Sequence, residues 1–326
     1  MPLIRTHRQV RLAFTLIELL IVISIIALLV SLLASAIVRV FDTAKRTETS
    51  FEITKLQNAL NASMKQYGDA KVLPSRLLLY NDLSKYKTDT SPLSKRSADA
   101  LRRMFGQRLL QYGTFVYWDG SSNNAGQVTL EGQQCLVFYL GGVQSTTTTR
   151  TCLGFSTDPL NPMLTTGDRI GPFFEFKSSR LVPGNANGFS ANALFVYLDP
   201  YHDPMDPLAK PYAYFSTTTA PNNYNPYYSV PTSVTSDCQS LEPMGGFWPY
   251  IESPGSGSAA PKYMNPNGFQ IISAGPNGKF GVGGGPPGSP PTFSSSVYDP
   301  KTGAIDLDTR DNQANFTQFV LGSPQS

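Results

Sequence analysis

From Phe14 to Val38 the chain reads FTLIELLIVISIIALLVSLLASAIV, a 25-residue run whose only charge is Glu18. As a helix such a run is about 37 Å long, enough to cross a hydrocarbon core of about 30 Å with some tilt. The pattern then changes. Val40, Ala44, Thr47, Phe51, Leu56, Leu60, Met64 and Tyr67 recur at three- to five-residue steps, with Asp42, Lys45, Arg46, Glu48, Glu52 and Lys55 largely between them. This predicts that the helix continues as an amphipathic one to Tyr67 and is closed by Gly68. Ser97 to Leu110 predicts a second amphipathic helix with Ser97 as its N-cap. After it the period falls to two. Phe115-Val-Tyr-Trp, Gln127-Val-Thr-Leu, Cys135-Leu-Val-Phe-Tyr-Leu, Phe173-Phe-Glu-Phe and Ala193-Leu-Phe-Val-Tyr-Leu read as short strands between Gly, Asn, Pro and Ser clusters. The expected fold is α+β: a long N-terminal helix packed on an antiparallel β-sheet head. Long loops are expected at the Thr146–Thr149 tip and over residues 217–235 and 283–296.

Arg5, His7, Arg8 and Arg11 precede the apolar run with no acid among them. The positive-inside bias therefore keeps the N-terminus in the cytoplasm and sends the remainder across. A signal peptide is the competing reading, and Ala34-Ser35-Ala36 offers it a cleavage site. Its apolar region should be only about 7–15 residues long, and an ordinary signal sequence has no use for a carboxylate five residues into that region. A lone carboxylate in lipid costs several kcal/mol without a partner. Two readings of Glu18 follow: it snorkels to the cytoplasmic interface, or it pairs with the free α-amino group of a neighbouring subunit, created by a cut just before Phe14.

Composition sharpens the picture. The 326 residues are 40% hydrophobic, ample for a core, but only 15% charged, with Gly 27 and Pro 26. That is well under the roughly 25% charged residues of soluble domains and suits a loop-rich extracytoplasmic surface. Residues 1–110 hold 17 Lys+Arg against 8 Asp+Glu and residues 111–326 hold 9 against 15, leaving +9 and −6. The larger part has no claim on nucleic acid. Cys135, Cys152 and Cys238 have no CxxC spacing, which removes zinc-cluster and thioredoxin-like readings. Cys135 and Cys152 flank the Thr-rich tip and could form a disulfide in an oxidising space, or stay buried and free like Cys238. For an enzyme the one cluster is Asp199-Pro-Tyr-His202-Asp203-Pro-Met-Asp206, which turn chemistry explains better than catalysis. G-x-S-x-G, H-E-x-x-H and P-loop motifs are missing from the sequence.

The segment Arg11-Leu-Ala-Phe-Thr-Leu-Ile-Glu-Leu-Leu-Ile-Val-Ile closely resembles the cleavage and methylation motif of type IV pilins and type II secretion pseudopilins. The resemblance implies a leader cut by a prepilin peptidase between Ala13 and Phe14, N-methylation of Phe14, and Glu18 as the carboxylate needed for assembly. Ala13 stands where the family usually has Gly, and Ser35 where many members have a helix-kinking proline. Asp206-Pro-Leu-Ala-Lys-Pro-Tyr-Ala-Tyr-Phe resembles the aspartate-proline turn and tyrosine strand of major pseudopilins, with Leu208 and Ala209 replacing a Trp and a Gly. Gly268-Phe-Gln-Ile-Ile-Ser-Ala-Gly-Pro-Asn-Gly-Lys-Phe-Gly resembles their last strand and glycine-rich loop. In that family the loop binds calcium with acidic residues just downstream, here among Asp306, Asp308, Asp311 and Asn312. The resemblance thus implies a structural calcium on Asn277, Asp308, Asp311 and Asn312, with Asn312 where a second aspartate is usual; aspartates that merely cap turns are the alternative.

The expected organisation is a leader over 1–13, a transmembrane and polymerisation helix over 14–38, its amphipathic continuation over 39–68, an enlarged insertion over 69–200, and a pseudopilin-like C-terminal part over 201–326. The implied role is that of a subunit of a pilus-like filament on the cytoplasmic membrane, single-pass, with a periplasmic head and no catalytic residues. Its partners would be other pilin-like subunits, the prepilin peptidase and an inner-membrane assembly platform, with no nucleic acid. A type IV pilin for adhesion, motility or DNA uptake, and an anchored binding module that never polymerises, are the alternatives.

Overall fold

A computed structural model of the chain describes residues 15–68, 72–118, 123–145, 149–185, 188–189, 192–217, 220–224, 236–242, 247–253, 262–281 and 311–317. The chain divides into two compact units, Met1–Thr47 and Glu48–Ser326. One helix, α1 (Leu16–Gln66), enters both. It ends as its pattern predicts: the Tyr67 N–H still reaches the Ser63 carbonyl at 2.9 Å, and Gly68 follows at φ +73°, a conformation open to glycine.

After α1 come β1 (Leu77–Tyr80), α2 (Lys85–Thr88), α3 (Pro92–Phe105), α4 (Gln107–Tyr112), β2 (Gln127–Leu130) and α5 (Gly132–Gly141). Short strands β3 (Gln144–Ser145), β4 (Thr151–Cys152), β5 (Phe155–Ser156), β6 (Arg169–Ile170), β7 (Leu181–Pro183) and β8 (Phe195–Tyr197) follow. The C-terminal part adds β9 (Ala213–Ser216), β10 (Ile251–Ser253), β11 (Lys262–Tyr263), β12 (Phe269–Ser273) and β13 (Gln313–Ala314). All strand pairings among them are antiparallel: five two-stranded ribbons and one three-stranded sheet in the order β13-β12-β9. The architecture is α+β and pilin-like, a long N-terminal helix packing on antiparallel sheets.

Within the second unit α1 buries Ile53, Leu56, Leu60, Met64 and Tyr67 in a core shared with β1, α3, α4 and α5. Strand β9 and the residue before it separate this core from a second one by their two-residue period. Tyr212 and Tyr214 enter the first, Ala213 and Phe215 the second.

The structure corrects four of the expected elements. The second amphipathic helix starts earlier, at Pro92, with Ser91 as N-cap: its Oγ accepts from the Ser94 N–H at 3.2 Å, and proline sits at the first turn. Ser97 is buried inside that helix, where its Oγ takes the Leu78 N–H of β1 at 2.8 Å. The run Cys135–Leu140 is helical, in α5, not a strand. Every residue of α5 is buried, so its apolar side chains show no period, and Glu131 and Gln134 close a capping box at its start. Phe115–Trp118 makes a single bridge through Phe115 to Asp82, and Phe173–Phe176 is irregular chain whose rings pack on the first core.

Candidate functional site

Thr15 and Glu18 set the start of α1. The Thr15 N–H and Oγ1 donate to Glu18 Oε2 at 2.9 and 2.8 Å, while the Glu18 N–H donates to Thr15 Oγ1 at 3.3 Å. This is a capping box of the T-x-x-E form. The carboxylate therefore has a local use at the helix N-terminus, where negative charge also suits the helix dipole. The sequence signal for it is Thr15 three residues before Glu18. Ala13 and Phe14 lie outside the described residues.

Along the next turns Leu16 to Leu33 present large apolar side chains to the outside, from 45% exposed at Val22 to 82% at Leu16. The hydroxyls in this stretch are turned inward on the helix: Ser24 Oγ donates to the Leu20 carbonyl and Ser31 Oγ to the Leu28 carbonyl, each at 2.8 Å. A helix in hydrocarbon must satisfy its polar groups internally in this way. Among the described residues α1 is the one helix long and apolar enough to cross a membrane.

Higher on α1, in the second unit, lies a polar cluster that the helical pattern above placed on the outer face. Glu52 is buried at 7% exposure, on the core side with Thr49, Ile53 and Leu56. Both its oxygens are paired with the Arg180 guanidinium, the Nη1–Oε2 bond at 2.9 Å. Tyr197 Oη donates to Oε1 at 2.9 Å and Tyr212 Oη to Oε2 at 2.7 Å. Arg180 also donates to the Leu198 carbonyl at 2.8 Å and stacks 4.6 Å from the Tyr197 ring centre. Burial works against the Arg180 charge, but the Glu52 hydrogen bonds and charge together with the electrostatics of Tyr197 and Tyr212 outweigh it and hold the guanidinium above its usual range. Burial likewise raises the Tyr197 and Tyr212 phenols, with the Glu52 charge adding to it, so both remain protonated donors. The cluster fastens α1 to the ends of β7, β8 and β9.

The glycine-rich loop after β12 meets the segment at β13. The Asn277 N–H donates to Asp311 Oδ2 at 3.1 Å, and a Cβ on Gly275 would stand 2.4 Å from the Asp311 carbonyl. Asn312 is fully buried. Its Nδ2 donates to Tyr250 Oη at 2.8 Å and to the Phe280 carbonyl at 3.2 Å, while its Oδ1 accepts no hydrogen bond from the described residues. The structure thus brings Asn277, Asp311 and Asn312 together; Asp308 and Asp306 lie outside the described residues. The buried Asn312 Oδ1 and the Asp311 carboxylate are oxygens of the kind calcium takes. Asn277 Oδ1 faces the Lys279 N–H at 2.8 Å instead, and among the described residues no group of three His, Cys, Asp or Glu could hold a metal.

The remaining sequence candidates have structural uses. His202 Nε2 lies 3.0 Å from the Pro276 carbonyl and Nδ1 3.4 Å from Asp206, bracing the loop after β8 against the glycine-rich one. Asp203 and Asp206 cap their own turns through the Met205 and Leu208 N–H groups at 2.9 and 2.8 Å. No disulfide joins Cys135 to Cys152; the three cysteines are free. Cys135 belongs to helix α5, facing the Leu130 carbonyl, whereas Cys152 lies in β4 beside Gly141. Burial pushes the Cys135 and Cys238 thiols well above their ordinary range and Cys152 up to about 12, so thiolate chemistry is suppressed.

In comparison with known families, residues 8–34 match the family described as the prokaryotic N-terminal methylation motif. This end of the chain thus carries the methylation motif of type IV pilin-like prepilins, with the motif's hydrophobic part forming the first turns of α1. Neither the comparison with curated proteins nor that with solved structures gives a match.

Proposed function

We propose that this chain is a subunit of a pilus-like filament, and that the filament is the pseudopilus of a type II secretion system. The observation that carries the reading is the methylation motif at residues 8–34, set on a helix whose lower part exposes apolar side chains on every side. A helix that is apolar all round needs lipid or other helices around it. A prepilin peptidase would cut between Ala13 and Phe14 and methylate Phe14. The processed helix would sit in the cytoplasmic membrane and then be moved by the assembly platform into a bundle with its copies.

Three C-terminal features support the secretion variant. The tyrosine strand β9, the strand β12 before the glycine-rich loop and the downstream segment β13 pair as neighbours in one sheet. That proximity is what the pseudopilin resemblance of the sequence requires. A structural calcium held by Asn277, Asp308, Asp311 and Asn312 belongs to the same proposal. Its part would be to order the glycine-rich loop against the chain that follows it.

The test separates the two uses of Glu18. Glu18→Gln keeps a side chain able to close the capping box but removes the charge; Thr15→Ala removes the cap and keeps the charge. If subunits join through a Glu18 ion pair, Glu18→Gln abolishes filaments while the chain still reaches the membrane, and Thr15→Ala forms them. Filaments from Glu18→Gln at the wild-type level would overturn the ion-pair role.

A further inference from the structure

Residues 39–47 of α1 follow the apolar run without a break in the helix and still belong to the first compact unit, which ends at Thr47. They carry three cations, Arg39, Lys45 and Arg46, and one anion, Asp42. At about 100° per residue, Arg39, Asp42, Lys45 and Arg46 fall on one side of the helix and Val40, Phe41 and Ala44 on the other. Arg39 and Lys45 are exposed and Arg46 is half-buried, while Val40 and Phe41, at 67% and 66%, are as open as the apolar side chains before them. The two threonines turn their hydroxyls onto the helix: Thr43 Oγ1 donates to the Arg39 carbonyl and Thr47 Oγ1 to the Thr43 carbonyl, each at 2.8 Å. What this stretch turns outward is therefore cationic on one side and apolar on the other.

Length gives the stretch its place. The run 14–38 is centred on Ile26. A hydrocarbon core of about 30 Å takes about 20 residues of helix, half to each side of the centre, and so ends at about residue 36. The headgroup layer adds about 5–7 Å, or roughly three to five residues, which reaches Phe41. Val40 and Phe41 thus continue the apolar surface into that layer, and Arg39 stands among the lipid phosphates. Lys45 and Arg46 lie about 6–8 Å beyond its outer edge. Side chains on a helix lean toward its N-terminus, here back toward the bilayer, and the long stems of Lys and Arg close that gap.

We propose that Arg39, Lys45 and Arg46 bind the phosphates of anionic phospholipid in the leaflet where α1 leaves the membrane toward its C-terminal end, and so fix the depth of the helix. The inference rests on the membrane-spanning reading of α1 and adds to it a lipid contact at named residues. Phosphate is the group that a guanidinium fork and an ammonium recognise best, and basic residues clustered at the end of a membrane helix attract anionic headgroups. Asp42 lies one turn from each arginine and offsets part of their charge. The excess left to the stretch is still positive, which favours an anionic lipid over a zwitterionic one.

The experiment uses the full-length chain extracted from membranes in a non-ionic detergent. Phosphatidylglycerol or phosphatidylcholine with the same acyl chains is added, and the lipid retained on the protein is counted by native mass spectrometry. The expected result is several-fold more phosphatidylglycerol than phosphatidylcholine on the wild-type chain, and a several-fold loss of that preference in Arg39→Gln/Lys45→Gln/Arg46→Gln. Lys95→Gln/Arg103→Gln/Arg108→Gln removes the same charge from exposed positions on α3 and α4 and should leave the preference unchanged; Arg5, Arg8 and Arg11 contribute equally to all three chains. Equal retention of the two lipids by the wild-type chain, or an equal loss in both triple variants, overturns the contact while α1 remains a membrane helix. A preference that survives the 39/45/46 variant while its filament yield falls assigns these cations to a protein neighbour and overturns it too. A wild-type chain recovered in the soluble fraction of cells overturns the membrane-spanning reading, and this inference with it.

Discussion

Glu52 is a carboxylate on the core side of a helix, and its environment answers each cost of placing it there. Two guanidinium nitrogens and two phenol hydroxyls surround it, and the guanidinium is in turn bonded to a backbone carbonyl. Removing one member of such a group leaves the others buried and unpaired. Glu52→Ala should lower the unfolding free energy of the detergent-solubilised full chain by about 3–5 kcal/mol, read from denaturant melts. A loss under about 1 kcal/mol would mean that solvent reaches Arg180. Asp199 is the second buried carboxylate with a readable consequence. Burial raises it from 3.8 to about 6, against the Ser273 hydroxyl, which donates at 2.7 Å. With the folded value above the unfolded one, the native state binds the extra proton between about pH 4 and 6. Stability is thus highest below that window and falls as pH rises through it. Asp199→Asn should flatten this slope and gain on the order of 2–3 kcal/mol at pH 7; an unchanged slope would show that Asp199 titrates normally.

Helix α5 shows at the element scale where local pattern stops informing. Its run Cys135–Leu140 has no polar position to reveal a 3.6-residue period, because α5 is packed on all sides. Length and β-type composition favoured a strand, and the deciding signal was the Glu131 and Gln134 capping box rather than periodicity. Ser91, with proline behind it, was likewise the stronger cap signal than Ser97. Glu52 was misplaced for a different reason: its partners Arg180, Tyr197 and Tyr212 are at least 128 residues away in sequence, and no local pattern records them. What local signals did carry was α1 from its apolar run to its glycine stop, strand β2, β8 within the longer run Ala193–Leu198, and the shared face of Tyr212 and Tyr214. Close packing gives a further test. A Cβ at Gly132 would stand 1.9 Å from the Tyr214 carbonyl and 2.8 Å from Cys238 Sγ. Gly132→Ala should cost about 3 kcal/mol or more, because neither neighbour is free to yield; a melt within error of wild type would place α5 elsewhere than against β9.

Over the whole molecule the division of labour follows the charge and hydropathy of the sequence: a cationic stretch to residue 110 that contains the apolar helix, and an acidic, loop-rich remainder over 111–326. The N-terminal motif was legible because its chemistry is local, five residues from cut site to carboxylate. The calcium proposal is less local. It joins a loop at Asn277 to a segment at Asp311 and Asn312, and its test is stability: calcium should raise the melting temperature over chelated protein, and Asp311→Ala should remove the increment. Equal melting with and without calcium would assign these residues to turn capping alone.

Everything proposed for the filament depends on how the N-terminus is processed. The most direct measurement is the N-terminal mass of the chain recovered from membranes with and without the prepilin peptidase. A chain beginning at N-methylated Phe14 only when the peptidase is present is the expected result. A chain that keeps residues 1–13 in its presence, or one cut after Ala36, would contradict the account.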